Sequence, residues 1–361
     1  MSDEHYMSLA LTLAEQMQGQ TNPNPVVGAV VVRAGSIVGL GAHLQAGGPH
    51  AEVHALTMAG KQAEGATIYV TLEPCNHYGR TPPCTDLIIK SGIKRAVIAT
   101  IDPHSKVSGS GITKLRNHGI DVTVGVMEKE AQDANKIFFH YIGQQRPYVT
   151  AKMAQSIDGK VATKTGASQW ITSKQARDDG HLLRRDHDAI LVGIGTVLKD
   201  DPTLTNRSSL GGKHPTRIIL DRELRIPLNA KVVADRKADT WIFTTEYADQ
   251  DKWASLSNDE HIKVIDTKAG TIDEVLETLA SAEITSLLVE GGPTIMGQFL
   301  QGGHVQELIV YTAPKIIGGQ AAYTSVAGEG IDLLDNVQTF NHIHTESIGT
   351  DTKMIYRQEG I

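Results

Sequence analysis

Residues 50–84 read HAEVHALTMAGKQAEGATIYVTLEPCNHYGRTPPC, and this stretch decides the fold of the first half of the chain. Its pattern predicts a helix that starts at His50, a buried strand over 67–72 and a second helix over 83–91. The stretch also contains the only two cysteines of the chain. Three potential metal ligands therefore fall at two helix starts and beyond a strand end, where α/β folds place their ligands.

His50, Cys75 and Cys84 together form a candidate zinc site. The chain shows no apolar leader, so we expect a cytoplasmic protein with reduced thiols, in which cysteine patterns more often mean metal binding or catalysis. Three protein ligands leave the fourth position of tetrahedral zinc open for water, which distinguishes catalytic from structural sites. Glu52 lies two residues after His50 and points to another side of the helix. It is therefore free to carry protons instead of binding the metal.

This combination is typical of zinc-dependent nucleobase deaminases, which pair a His/Cys/Cys site with a glutamate that is not a ligand. The spacing differs, because eight residues separate the two cysteines here in place of two. Zinc brings the pKa of a bound water close to neutral, and Glu52 can pass that water's proton to a departing amine. The predicted reaction is hydrolytic deamination of a ring carbon that carries an exocyclic amine.

Two other histidines offer alternative ligand sets. His54 lies four residues after His50, on the same helix face, and with both cysteines it would complete a closed structural site. His77 lies between the cysteines and is a further possible ligand. We favour the open site, because a closed one leaves Glu52 without a role and because His54 falls among apolar residues, as a paired core histidine does.

The composition limits the remaining functions. The length of 361 residues allows two domains, and the 40% hydrophobic but only 5% aromatic content predicts aliphatic cores. The net charge of −7 argues against general nucleic-acid binding, which needs a basic face, but permits an anionic substrate where arginines converge. No segment approaches the roughly 20 apolar residues that cross a bilayer, so we expect no membrane contact.

Strand and helix patterns alternate along both halves of the chain, which favours layered α/β domains. A helix over 128–142 is predicted to end the first half, with a linker over 143–147. We therefore predict a zinc-dependent deaminase domain over residues 1–145 and a separate, cysteine-free domain over residues 146–361.

Two glycine-rich turns in the second half are candidate phosphate sites. The strand 286–290 leads into Gly291-Gly292-Pro293-Thr294, where the backbone can approach a ligand and a helix begins with free N–H groups. Gly193-Ile194-Gly195-Thr196 also follows an apolar strand but lacks the third glycine of a dinucleotide fingerprint. Each turn alone more often marks a tight strand–helix connection. The pair favours a nucleotide site more than either turn does.

The sequence closely resembles the bifunctional riboflavin-biosynthesis deaminase/reductase family over nearly its whole length. In the first half the resembling motifs are Asn22–Gly28, His50–Ala55, Tyr69–Cys75 and Gly79–Cys84. The last of these is similar to the family's own second cysteine segment, which accounts for the long spacing. In the second half the motifs are Ser156–Lys160, Gln169–Ser173, Gly195–Pro202 and Val289–Gly292.

The resemblance implies a cytidine-deaminase-like three-layer α/β/α domain followed by a dihydrofolate-reductase-like α/β domain. It implies deamination of 2,5-diamino-6-(5-phosphoribosylamino)pyrimidin-4-one, then reduction of the ribosyl to the ribityl side chain. The implied cofactors are one Zn²⁺ per chain and NADPH in a reductase domain. We expect a phosphorylated pyrimidine as the small-molecule partner, no nucleic acid or membrane, and a homo-oligomer.

The family's site residues map onto this sequence by position. His50, Cys75 and Cys84 would bind zinc, and Glu52 would be the catalytic proton carrier. The deaminase pocket would include Asn24, His43 and Arg80. The reductase substrate would contact Lys152, Ser168, Arg184, Leu204, Arg207 and Glu290. The cofactor would contact Ala154, Trp170, Thr196, Asp200, Arg222 and the segment Gly292, Pro293, Thr294, Ile295, Met296, Gly297 and Gln298. The guanidinium of Arg222 suits a 2′-phosphate.

Two rival functions fit part of the sequence. A deaminase of a tRNA base or a free nucleoside would share the zinc motif, but the acidic balance and the large second domain argue against it. A zinc-stabilised scaffold that only senses NADPH would keep its function after the substitution Glu52→Gln. An enzyme with the same substitution would keep its zinc but would no longer release ammonia.

Overall fold

The computed structural model describes residues 2–78, 82–103 and 108–358 of the chain. The chain divides into two units, Met1–Gln145 and Arg146–Ile361. Within the described residues, no helix combines the length and the apolar character needed to cross a membrane.

The first unit is built on one mixed sheet. Its strands are β1 (Gly28–Arg33), β2 (Ser36–Ala42), β3 (Thr67–Leu72), β4 (Arg95–Thr100) and β5 (Asp121–Val124). Its helices are α1 (Asp3–Glu15), α2 (Ala51–Ala59), α3 (Cys84–Lys90), α4 (Ser110–Asn117), α5 (Glu128–Ala134) and α6 (Lys136–Gln144). The strand order is β2-β1-β3-β4-β5, with β1 antiparallel to both of its neighbours and β3, β4 and β5 parallel.

Alternation along β1 explains the layers of this unit. Ala29 and Val31 pack into the core cluster that contains residues of α2, α3 and α4. Val30 and Val32 point to the opposite face, into the cluster that contains residues of α1 and α5. Helices therefore cover both faces, and the expected three-layer α/β/α architecture is confirmed.

The predicted single helix over 128–142 is wrong. The chain leaves helical geometry at Asn135, with φ −109° and ψ 18°, so that α5 and α6 are separate helices. The side chain of Asn135 is buried and hydrogen-bonded to a distant backbone segment, which holds the break open. The predicted linker is also shorter than expected, because α6 extends to Gln144.

The second unit is built on a larger sheet. Its strands are β6 (Tyr148–Ser156), β7 (Lys160–Ala162), β8 (Ala189–Gly193), β9 (Thr216–Leu220), β10 (Thr240–Thr244), β11 (Ile262–Asp266), β12 (Ser286–Val289), β13 (Glu307–Ala313), β14 (Tyr323–Thr324), β15 (Phe340–Ile348) and β16 (Asp351–Gln358). Its helices are α7 (Lys174–Asp186), α8 (Ile194–Asp200), α9 (Lys231–Ala234), α10 (Gln250–Ser257), α11 (Ile272–Ser281) and α12 (Pro293–Gln301).

The main sheet of this unit has the order β11-β10-β9-β8-β12-β6-β13-β16-β15. The strands from β11 to β13 are parallel, whereas β16 runs antiparallel to both β13 and β15. β7 and β14 form a separate small sheet. One face of the main sheet packs against α8, α9 and α10, and the other packs against α11 and α12.

The connections of the main sheet change direction between β8 and β12. From β8 the chain continues to β9 on one side, and from β12 it continues to β13 on the other side. The loops that leave these two neighbouring strands therefore diverge, and open α/β sheets bind ligands in the crevice outside the carboxyl ends of such strands. The two predicted phosphate turns follow β8 and β12, so both lie at this edge of the sheet.

Candidate functional sites

The three predicted zinc ligands converge in the first unit. His50 immediately precedes α2, Cys84 is the first residue of α3, and Cys75 lies in the loop after β3. The Nδ1 of His50 lies 3.5 Å from the Sγ of Cys75 and 3.3 Å from the Sγ of Cys84. Tetrahedral bonds of ~2.0 Å to nitrogen and ~2.3 Å to sulfur separate two such ligands by about 3.5 Å, so these atoms fit one zinc ion.

Neither rival histidine joins this site. Among the described residues, the metal-ligand group consists of His50, Cys75 and Cys84, and their ligand atoms all lie within 4.8 Å of one another. His77 is exposed, and the Nε2 of His54 is buried without a hydrogen-bond partner in the described part of the chain. His54 therefore lies outside the ligand group with a buried Nε2, and the three-ligand arrangement agrees with the geometry.

The backbone around the cysteines holds the two thiols together. The N–H of Cys84 donates to the Sγ of Cys75 at 3.3 Å, and the N–H of Thr85 donates to the carbonyl of Cys75 at 3.3 Å. A hydrogen bond with the Cys84 side chain lowers the pKa of the Cys75 thiol most, and the nearby His50 imidazole and the N–H of Cys84 lower it further. The lowered pKa favours, at Cys75, the thiolate form that a metal requires.

Glu52 lies in the first turn of α2, close to the three candidate ligands but outside the ligand group. Only 3% of the residue is exposed. Burial raises the pKa of its carboxyl to about 7, and the neighbouring Cys75 raises it as well. A buried carboxyl with a pKa near neutral can both take up and release protons, which is the property required of a general acid–base group.

Asn24 and His43 form a hydrogen-bonded pair in the same unit. The Nδ2 of Asn24 lies 3.0 Å from the Nε2 of His43, whose Nδ1 lies 3.1 Å from the carbonyl of Pro49. Burial lowers the pKa of His43, so the ring is neutral, with Nδ1 donating to Pro49 and Nε2 accepting from Asn24. The His43 ring also packs edge-on against the ring of His50, 5.3 Å between centroids. The third predicted pocket residue, Arg80, lies outside the described residues.

Asn135 is a functional candidate that the sequence reasoning missed. Its Oδ1 accepts from the N–H of Val26 at 2.8 Å, and its Nδ2 donates to the carbonyl of Val26 at 2.9 Å. Val26 follows Asn24 by two residues, so this pair of bonds fixes the loop that carries Asn24. The bonded residues are 109 positions apart, and no local pattern signals such a contact.

Glu290 brings two of the predicted cations together in the second unit. The Nε of Arg184 donates to its Oε1 at 2.8 Å and the Nη2 to its Oε2 at 3.1 Å. The Nζ of Lys152 lies 3.7 Å from the same Oε2. Burial opposes ionisation of Glu290, but Arg184 and Lys152 outweigh it and lower the pKa of the carboxyl to about 2. Glu290 therefore stays ionised at neutral pH.

The other predicted substrate and cofactor residues of this unit differ in how exposed their side chains are to a ligand. Leu204 is only 2% exposed, so its backbone is the part available to a ligand, whereas Arg207 is exposed and Ser168 is half-buried. The indole of Trp170 is exposed and stacks on the guanidinium of Arg177 at 4.4 Å. Ala154 lies half-buried on β6.

The two glycine turns are shaped by one side chain. A Cβ on Gly193 would lie 2.9 Å from the side chain of Ile295, and a Cβ on Gly291 would lie 2.6 Å from it, so a larger residue at either position would force Ile295 to shift. Thr196 lies in the first turn of α8, and Asp200 is the last residue of that helix. Within the segment Gly292–Gln298, Met296 is in the core and a Cβ on Gly297 would collide with the carbonyl of Ala327. Met296 and Gly297 therefore present no side chain to a ligand, whereas Gln298 is exposed.

Two family models match the chain. The cytidine and deoxycytidylate deaminase zinc-binding region matches residues 1–100, and the RibD C-terminal domain matches residues 147–354. The fold and the two sites thus define a two-domain enzyme in which a zinc-binding deaminase region precedes a reductase domain.

Full-length relatives specify the family. The chain is 49% identical to the riboflavin biosynthesis protein RibD of Aquifex aeolicus, over 99% of this chain and 98% of the relative. It is 48% identical to the RibD of Bacillus amyloliquefaciens, over 98% and 95%. A solved Thermotoga maritima structure, a diaminohydroxyphosphoribosylaminopyrimidine deaminase/5-amino-6-(5-phosphoribosylamino)uracil reductase, shares 39% identity and a TM-score of 0.89 over 99% of this chain and 98% of that one. The chain belongs to the RibD family, the bifunctional deaminases and reductases of riboflavin biosynthesis.

Proposed function

We propose that the first unit deaminates 2,5-diamino-6-(5-phosphoribosylamino)pyrimidin-4-one and that the second unit reduces the ribosyl side chain of the product with NADPH. The observation that carries this proposal is the convergence of His50, Cys75 and Cys84 on one metal position beside the buried Glu52. The two activities named for the Thermotoga relative support the choice of substrates.

In the deaminase, His50, Cys75 and Cys84 would hold Zn²⁺, which when bound supplies the Lewis acid that makes water nucleophilic at neutral pH. Glu52 takes the proton of the attacking water and returns it to the exocyclic nitrogen, which leaves as ammonia. Asn24 donates to the neutral His43 ring, so its Oδ1 remains available to accept a hydrogen bond from the pyrimidine. Asn135 keeps this amide in place through Val26.

In the reductase, hydride adds to C1′ of the ribosyl group, the bond from C1′ to the ring oxygen breaks, and that oxygen takes a proton. NADPH would supply the hydride. We assign the proton to Lys152, whose ammonium lies 3.7 Å from Glu290. Arg184 binds both carboxylate oxygens of Glu290, and the exposed Arg207 would bind the substrate phosphate.

The cofactor assignment is supported by the crevice between β8 and β12. Gly292 precedes α12, and a Cβ there would meet nothing within 4 Å among the described residues, so the backbone is open to a close ligand. No described side chain caps this helix N-terminus, whose N–H groups suit a phosphate. Cytoplasmic location and a homo-oligomer stay predictions.

Removal of the metal is expected to separate the two activities. Treatment of the full-length protein with a strong chelator should abolish ammonia release, because the open ligand set loses its Lewis acid, and zinc should restore it. NADPH oxidation with the deaminated substrate should continue at its original rate. Undiminished ammonia release from protein shown to be free of zinc would refute the deaminase assignment.

Arg222→Ala is expected to weaken NADPH binding selectively. The side chain is exposed beyond the end of β9, and its Nη2 lies 3.5 Å from the carbonyl of Gly270. Loss of a charge-assisted bond to a 2′-phosphate should raise the KM for NADPH about tenfold and leave the KM for NADH unchanged.

Arg236→Ala is the matched control, since it also removes an exposed arginine, one that pairs with Asp259. It should alter neither KM. If Arg222→Ala raised both KM values equally, the 2′-phosphate contact would be wrong.

A further inference from the structure

Glu73 is a buried carboxylate that the mechanism does not use, although it stands two residues before Cys75. Its two oxygens accept backbone N–H groups from a segment far along the chain. Oε2 accepts from Gly109 at 2.8 Å and from Asp102 at 3.4 Å. Oε1 accepts from Gly111 at 2.9 Å and from Ile112 at 3.3 Å.

Three of these donors belong to the start of α4. The residue before this helix is Gly109, which has no side chain to cap it, and no described side chain serves as a local cap. The first N–H groups of a helix need external acceptors, and the helix dipole favours a negative charge there. Glu73 therefore caps α4 from 36 to 39 residues away in sequence.

The capped helix is itself firmly anchored. Ile112 and Leu115 are 4% and 0% exposed and belong to the core cluster that also contains residues of α2 and α3. Those two helices carry or adjoin the other ligands, Cys84 and His50. The carboxylate of Glu73 thus ties the loop of the third ligand to the same rigid core.

Two further contacts hold this loop on α4. A Cβ on Gly111 would lie 2.3 Å from the carbonyl oxygen of Pro74, so the backbones touch directly. Beyond Cys75, the Nδ2 of Asn76 donates to the carbonyl of Ser110 at 3.4 Å. The Oδ1 of the same Asn76 accepts from the hydroxyl of Thr85 on α3 at 3.2 Å. The residues on both sides of Cys75 are therefore fixed.

We propose that Glu73 is a positioning residue of the zinc site, which sets the place of the Cys75 thiolate relative to His50 and Cys84 by holding Pro74 and Cys75 against α4. This role rests on the proposed function of the three residues as zinc ligands. Glu73 acts through the backbone, so its substitution changes how tightly the three ligands bind zinc and leaves the proton-carrying Glu52 intact.

The test compares three variants of the full-length protein. Glu73→Gln replaces one oxygen with an NH₂ group that cannot accept, and Gly111→Ala pushes the Pro74 carbonyl away from the other side of the same contact. Thr113→Ala is the matched control, because it removes a local hydrogen bond of 2.8 Å on α4 and none of the contacts of Glu73.

The primary readout is the rate at which a chromophoric chelator removes zinc. We expect both Glu73→Gln and Gly111→Ala to lose zinc about tenfold faster than wild type or more, as outer partners of metal ligands do. The thiolate-to-metal absorption of the cobalt-substituted proteins should shift in both. Thr113→Ala should match wild type, and NADPH oxidation with the deaminated substrate should be unchanged in all three.

Each other outcome is decisive. A wild-type rate of zinc loss and a wild-type cobalt spectrum in Glu73→Gln, or in Gly111→Ala if the first variant does not fold, would overturn the positioning role. If Thr113→Ala lost zinc as fast as the other two variants, the positioning role would also be overturned, because the effect would then reflect general destabilisation of α4. If the wild-type protein itself held no zinc, the proposed deaminase site would fail instead, so the two failures are distinguishable.

Discussion

Glu52→Gln is expected to lower ammonia release about 10³-fold, within the range that a positioned acid–base group contributes. The amide has nearly the shape of the carboxyl but can no longer carry a proton from water to the leaving amine. Since Glu52 is 3% exposed, bulk solvent is poorly placed to replace it. The three ligand atoms do not include this residue, so the zinc content should stay at one ion per chain.

Ammonia release and zinc content should therefore be measured on the same Glu52→Gln preparation. NADPH oxidation with the deaminated substrate is the internal control, because it depends on residues of the second unit. Rapid ammonia release by a zinc-loaded Glu52→Gln protein would show that another group carries the proton.

Glu290→Gln is expected to reduce the kcat/KM of the reductase roughly 100-fold or more, the lower part of the range for groups that act on proton transfer. The substitution leaves Arg184 and Lys152 without their shared negative charge in a buried place. Removing one partner from a buried ion pair also lowers the free energy of unfolding, by roughly 3 kcal/mol. Ammonia release should be unaffected.

Glu307→Gln separates this catalytic effect from simple destabilisation. Glu307 is also buried and lies 3.5 Å from Arg357, but it stands at the first residue of β13, away from the carboxyl edge of the sheet. The control should lose stability and keep its kcat/KM. If both variants lost reductase activity equally, the special role of the Glu290 cluster would be wrong.

Much of the first unit was predictable because its signals are local. The strand predicted over 67–72 has the same first and last residues as β3. Its bounds were clear because the apolar run is preceded by a turn and followed by Glu73-Pro74. His50, Cys75 and Cys84 were predictable as ligands because few residue types bind zinc and the chain has only two cysteines. Their ligand atoms lie within 4.8 Å of one another, as a shared metal site requires.

The contacts that hold these residues in place were not predictable. The bonds from Asn135 to Val26 span 109 residues, and those from Glu73 to α4 span up to 39. Periodicity reports which face of an element is buried, not which distant backbone groups a polar side chain satisfies. The prediction of one continuous helix over 128–142 failed for this reason, because the tertiary hydrogen bonds of Asn135 outweighed the helical pattern around it.

The pairing of Glu290 with Arg184 and Lys152 was only partly predictable from the sequence. Each residue was assigned to the reductase site by resemblance, and each alone is an ordinary charged side chain. Only the adjacency of β12 and β6 and the packing of α7 bring the three charges together.

The most direct test of two consecutive reactions at two separate sites follows ammonia and NADPH in Glu52→Gln with each substrate in turn. With the diamino substrate, both ammonia release and NADPH oxidation should fall to background, because reduction awaits deamination. With the deaminated substrate, NADPH oxidation should proceed at the wild-type rate. Wild-type NADPH oxidation with the diamino substrate, or none with the deaminated one, would contradict the account.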